Sequence, residues 1–126
     1  MQKLPEAELE IMLAIWQTTE QVPRAYFDEK LRHRKWSANT INTLLSRLQE
    51  KGFIAAERKG RENYYRALIE RDAYLEFESS TILQKLYGNS IKNFVLSLAH
   101  TDALEEKEIA ELQQYLSNLQ GGNSHD

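Results

Sequence analysis

Apolar residues recur along this chain at two spacings, and the change from one to the other divides it. Leu9, Met12, Leu13 and Trp16 follow the i, i+3, i+4, i+7 rule of one helix face. Pro5 suits the first position of that helix, and Glu6 and Glu8 sit where its dipole favours acid. The polar run QTTEQ at 17–21 ends it. Pro23 opens a second helix with Tyr26, Phe27 and Leu31 as its buried side, closing in Arg32-His33-Arg34-Lys35. Trp36 is a packing anchor ahead of a third helix, 37–51, for which Ser37 is the N-cap and Gly52 the stop. Ile41, Leu44, Leu45 and Leu48 form its apolar stripe. The period then falls to two. FIAAER, KGRE and NYYRALI read as strand, turn and strand, with Gly60 in the turn and Tyr64, Tyr65 and Ile69 supplying β-favouring bulk.

Past residue 69 the helical period returns. ERDAYLEFESSTILQKLYG carries Leu75, Ile82, Leu83 and Leu86 and ends at Gly88. SIKNFVLSLAH places Ile91, Phe94, Val95 and Leu98 on one stripe, and a last helix from about Leu104 presents Ile109, Leu112, Leu116 and Leu119. The expected fold is mainly α with a small β-hairpin. A winged helix-turn-helix DNA-binding domain spans 1–69, a helical dimerisation domain 70–120 and a disordered tail 121–126. Three helices in so short a segment bury these stripes either against a second copy of the chain or back on the first domain. Ile91, Phe94, Leu98, Ile109, Leu112, Leu116 and Leu119 are the expected dimer contacts.

Composition narrows the chemistry. The chain is 41% hydrophobic and 28% charged, an ordinary globular balance, and has no cysteine, so disulfides, thiolate metal sites and cysteine nucleophiles are excluded. No leader and no apolar run of roughly 18 residues is present, so a cytoplasmic protein without membrane insertion is expected. The net charge of −3 is unevenly spread. Residues 24–66 hold eleven Lys or Arg against five Asp or Glu, whereas 1–23 hold one against four and 67–126 four against ten. A basic middle between acidic ends fits a local polyanion site, or a chance cluster of solvated charge.

The third helix carries the candidate chemistry. Opposite its apolar stripe lie Ala38, Asn39, Asn42, Thr43, Ser46 and Arg47, and Ser37 and Thr40 join the candidate groove and backbone contacts. Asn pairs with adenine N6 and N7, Ser and Thr bond base edges or phosphates, and small side chains admit a helix deep into the major groove. A merely solvated face would more readily use Glu, Lys or Gln, which are better helix formers. Arg58, Lys59 and Arg61 around Gly60 would form a wing tip facing phosphate, or an ordinary charged turn. No catalytic arrangement emerges. His33, His100 and His125 are far apart, no Gly-rich phosphate loop or GxSxG elbow exists, and the Glu105, Glu106, Glu108, Glu111 cluster reads as dipole-favoured charge. The chain is expected to be neither an enzyme nor a carrier of metal or cofactor. A protein-interaction adaptor built on the same winged helix is the alternative.

LPEAELEIMLAIW, KWSANTINTLLSRLQEKGFI and RENYYRALI, in this order, resemble the penicillinase and methicillin-resistance repressor family (BlaI/MecI type, with copper-responsive CopY relatives). The resemblance covers residues 4 to 119, and its most specific part is W-S-x-x-T-I-x-T-L-L-x-R-L-x-x-K-G at 36–52. It implies a homodimeric transcriptional repressor that binds palindromic double-stranded operators, with the helix at 37–51 and the wing at 55–66 on DNA. It also implies C-terminal helices that intertwine across the dimer axis. In the antibiotic-resistance branch a membrane-bound sensor protease cuts an Asn-Phe or Ala-Phe bond in those helices. Counting back from the last helix places that bond at Ser97-Leu98 rather than Asn93-Phe94, a departure from the family pattern. The cysteine cluster of the copper branch is missing, and Asn39 and Asn42 stand where relatives often carry Lys or Arg.

Overall fold

The computed structural model describes residues 1–123 and contains six α-helices, one short 3-10 helix and three strands among them. It divides into two compact units, residues 1–79 and a second unit that begins at residue 80. The first unit extends ten residues past the boundary expected at 69. The reason is Tyr74, a fully buried ring packed against Trp16, Phe53 and Phe77. Its hydroxyl accepts a 2.8 Å hydrogen bond from the Leu4 backbone N–H, closing the N-terminal segment over the core.

Helix α1 spans Glu6–Ile15, and its buried face is Glu8, Ile11, Met12, Ala14 and Ile15. This corrects the expected stripe of Leu9, Met12, Leu13 and Trp16. Leu13 is 44% exposed, while Leu9 and Trp16 pack only at the core margin. Rotation of the stripe is possible because Glu8, though 2% exposed, is paired: Lys51 Nζ lies 2.5 Å from its Oε1. The Trp16 indole N–H is satisfied by the Ile69 carbonyl at 3.0 Å. Helix α2, Arg24–Lys30, follows Pro23 and buries Phe27, with Leu31 just beyond and the Tyr26 hydroxyl donating to the Ala14 carbonyl at 2.7 Å. The basic run Arg32–Arg34 is a single 3-10 turn.

Helix α3 spans Ala38–Glu50. Ser37 caps it, its Oγ accepting from the Thr40 N–H at 3.1 Å. Its C-terminus is a Schellman motif. Gly52 (φ +78°) donates to the Gln49 carbonyl at 3.0 Å and Phe53 to the Leu48 carbonyl at 2.9 Å, with Leu48 and Phe53 both in the core. The expected hairpin is a three-stranded antiparallel sheet in the order β1-β3-β2. Strands β2, Ile54–Lys59, and β3, Glu62–Ala67, pair from Ile54↔Ala67 to Lys59↔Glu62. The added strand β1 is only Val22–Pro23, paired with Tyr65 and Tyr64. Gly60, φ +66°, takes the first place of the two-residue turn, where a II′ hairpin requires glycine.

Helix α4 covers Arg71–Tyr87, so its second half belongs to the second unit. Gly88 and Asn89, both left-handed, end it, and Ser90 caps α5, Ile91–Ala99. Within this unit Tyr87 meets Phe94 edge-on at 5.2 Å and its hydroxyl lies 2.9 Å from Ser97 Oγ. Helix α6 spans Glu106–Asn123, running into the tail expected from 121; residues 124–126 of that tail lie outside the described residues.

Candidate nucleic-acid interface

Helix α3 has two faces with opposite duties. Ile41, Leu44, Leu45 and Leu48 are buried, while Ala38, Asn39, Thr40, Asn42, Thr43, Ser46, Arg47 and Gln49 are exposed. The pattern follows from the 3.6-residue period, since i, i+3, i+4 and i+7 take the core and leave a polar arc outside. Asn39, Thr40, Thr43 and Arg47 line a shallow depression on that outer arc. The Thr40 hydroxyl is 3.0 Å from Ser37 Oγ, so both hydroxyls serve the helix start. Among the described residues Arg47 and Arg61 form no ion pair and project into solvent.

The wing supplies the second edge. Arg58 Nε donates to the Gly60 carbonyl at 3.2 Å, bracing the turn, and Lys59 Nζ sits 5.3 Å from the Tyr64 ring centre. Between α3 and the wing runs an open cleft of ≈ 540 Å³. Asn42, Ser46 and Gln49 of α3 line it, facing Arg61 and Asn63 of the hairpin, with Arg24 of α2 at its side. Sequence reasoning named Asn42, Ser46 and Arg61 here but missed Arg24, Gln49 and Asn63. Gln49 follows from the helical period, seven residues beyond Asn42, whereas nothing local marks Arg24 or Asn63.

Arg24 is tightly bound in place. Its Nε donates to Asn42 Oδ1 at 2.7 Å, and its other two nitrogens donate to the Ala38 carbonyl at 3.1 Å and the Asp28 carboxylate at 2.9 Å. Arg34 is likewise structural. Its Nε is 2.9 Å from Glu10 Oε2, an ion pair not aligned as a hydrogen bond, and its guanidinium lies 4.8 Å from the Trp36 ring centre. Within the basic middle of the sequence, Arg24, Arg34 and Lys51 are therefore fixed by ion pairs, whereas Arg47 and Arg61, beside the outer face of α3, enter none among the described residues.

This arrangement is a polar helix face flanked by unpaired cations and a basic turn. It suits a grooved polyanion. Among the described residues no three His, Asp or Glu side chains cluster to hold a metal ion, and no helix is long and apolar enough to cross a membrane.

The sequence model of the penicillinase repressor family matches residues 4–118. The chain belongs to that family. It is 34% identical over 119 residues to the penicillinase repressor of Bacillus licheniformis, covering 92% of this chain and 93% of that one. It is 30% identical over 115 residues to the methicillin resistance regulatory protein MecI of Mammaliicoccus sciuri, covering 91% and 94%. The solution structure of the DNA-binding domain of the repressor BlaI superposes with a TM-score of 0.51 at 32% identity. That superposition covers 59% of this chain and 94% of the BlaI domain. The family's winged-helix fold is thus the fold of the first unit.

The remaining residues expected to act lie in the second unit. Ile91, Phe94, Ile109, Leu112, Leu116 and Leu119 are all exposed, and Leu98 is half-buried. Ser97-Leu98 lies inside α5, where Ser97 Oγ donates to the Phe94 carbonyl at 2.7 Å.

Proposed function

We propose that this protein is a DNA-binding transcriptional repressor of the BlaI/MecI type, acting in the cytoplasm as a homodimer on a palindromic operator. The observation that carries this reading is the exposed face of α3: Asn39, Asn42, Thr43 and Ser46 stand outward, flanked by the unpaired Arg47 and Arg61. In helix-turn-helix proteins the second helix of the motif enters the major groove, and its early residues meet base edges. At about 1.5 Å per residue, α3 is roughly 20 Å long and fits a groove about 12 Å wide. Ser37 and Thr40 would approach the backbone, and Arg47, Arg58, Lys59 and Arg61 the phosphates. The apolar faces of α5 and α6 are the proposed dimer seam.

Release by a membrane-bound sensor protease is what the family resemblance implies, and the matching bond, Ser97-Leu98, departs from the Asn-Phe or Ala-Phe pattern such cleavage uses. Since proteases favour exposed loops, α5 would have to unwind there first.

The test is a gel shift with duplex DNA from upstream of the protein's own gene, against a scrambled duplex, at about 50 and 200 mM salt. Preferential, salt-weakened binding of the upstream duplex is expected. Equal affinity for both duplexes at every salt concentration would favour the adaptor reading instead. Asn42→Ala should cost about 1–3 kcal/mol on the preferred duplex and little on the scrambled one. Equal losses on both would move Asn42 from base reading to backbone contact.

A further inference from the structure

Arginine carries five N–H donors and no acceptor. The Asn42 atom held 2.7 Å from Arg24 Nε is therefore its carbonyl oxygen, because the amide nitrogen would set donor against donor. Arg24 is in turn held by the Ala38 carbonyl on α3 and by Asp28 one turn along α2, and its side chain is only 23% exposed. It is a fork locked between two helices, with its charge partly balanced by Asp28, and not a cation projecting toward phosphate. Asn42 itself is exposed. With Oδ1 turned to Arg24, the two amide N–H groups lie on the opposite branch of the side chain.

From these contacts we infer that Arg24 is a positioning residue for Asn42, fixing the amide so that it offers donors to a base edge rich in acceptors. Guanine presents such an edge, O6 beside N7. Adenine does not, since its bidentate pair with asparagine needs Oδ1 to accept from N6 while Nδ2 donates to N7. Oδ1 keeps a second lone pair, but its bond to a charged donor fixes the amide with its N–H branch turned away from Arg24, so donors rather than the acceptor are the groups left to a base. This inference rests on α3 being the DNA-reading helix, and it replaces the adenine pairing that the sequence suggests with guanine.

The experiment selects preferred duplexes from a random library with the wild-type protein, N42A, R24A and R24K. A wild type that enriches no sequence would overturn the DNA-reading role of α3 and the inference with it. Given an enriched sequence, one guanine per half-site should lose its preference in N42A. R24A and R24K should both weaken that same preference about fivefold or more. The slope of log affinity against log salt should stay at the wild-type value, and R24A should add nothing in the N42A background. R24K keeps the charge but cannot hold the fork, so it separates positioning from phosphate contact and also guards against a misfolded R24A. Adenine at the Asn42-dependent position overturns the inference. So does a wild-type preference in R24K, or an equal loss on all sequences with a salt slope lower by about one in R24A.

Discussion

Glu8 and Lys51 tie α1 to the C-terminal end of α3, and a carboxylate at that depth depends wholly on its partner. Removing one member of a fully buried pair costs about 3–5 kcal/mol, whereas replacing both by apolar groups is often neutral. Lys51 keeps 22% exposure, which screens the pair somewhat. Lys51→Ala should therefore lower unfolding free energy by about 2–4 kcal/mol, and Glu8→Leu with Lys51→Met should recover most of it. Denaturant midpoints with unchanged slopes would register both, and a Lys51→Ala midpoint equal to wild type would show that Glu8 is solvated after all. Tyr74 makes a second test at this scale. Burial raises its phenol above the ordinary value, the neighbouring Glu78 adds to the rise, and the Leu4 N–H opposes it; burial raises Tyr26 as well. A raised folded value means that the unfolded chain releases its proton first. Stability is then intact below about pH 10 and falls as pH climbs beyond it. Tyr74→Phe should lose about 1–3 kcal/mol at neutral pH, because Leu4 N–H loses its partner inside the core. It should also show a shallower alkaline decline, and an identical alkaline slope would remove Tyr74 from the account.

Among the elements, α3 was legible in the sequence because every position of its inner stripe is Ile or Leu and both ends carry their capping residues. Helix α1 was misread for the converse reason: a glutamate occupies a core position, so the apolar period points one step off. Strand β1 left no readable period in two residues, one of them proline, and is defined only by its pairing with β3. The candidate site divides similarly. The outward residues of α3 follow from periodicity, but the distinction between fixed and free cations depends on partners distant in sequence, as with Arg24 and Asn42 or Arg34 and Glu10. That distinction makes a prediction for the wing. Arg61 is free whereas Arg58 braces the turn, so Arg61→Ala should weaken binding to all duplexes alike and flatten the salt slope by about one, without loss of stability. An unchanged slope in salt titrations would take Arg61 off the phosphates.

For the whole molecule, the two compact units differ in how they treat apolar surface. The buried side chains among residues 1–121 all lie within 1–79, and none from 80 to 121 is buried. Ile91, Leu96, Leu112, Tyr115, Leu116 and Leu119 are large apolar groups left in water by a single chain. Monomeric proteins rarely leave contiguous patches of that kind open, and closed two-fold pairing is the commonest way to cover them. From residue 80 onward the sequence is acidic, three Lys against six Asp or Glu, which suits a surface kept away from phosphate. On this reading dimerisation and DNA affinity are coupled through the second unit. Leu112→Glu with Leu116→Glu should reduce the mass in sedimentation equilibrium from dimer to monomer. Two linked half-site contacts outbind one by roughly 10²–10⁴, so operator affinity should fall about 100-fold or more. Folding of the first unit should be untouched, since the two leucines lie outside it, and near-ultraviolet signals from Trp16 and Trp36 provide the check. A wild-type chain sedimenting as a monomer, or a double variant that remains dimeric, would mean that α6 is not the seam.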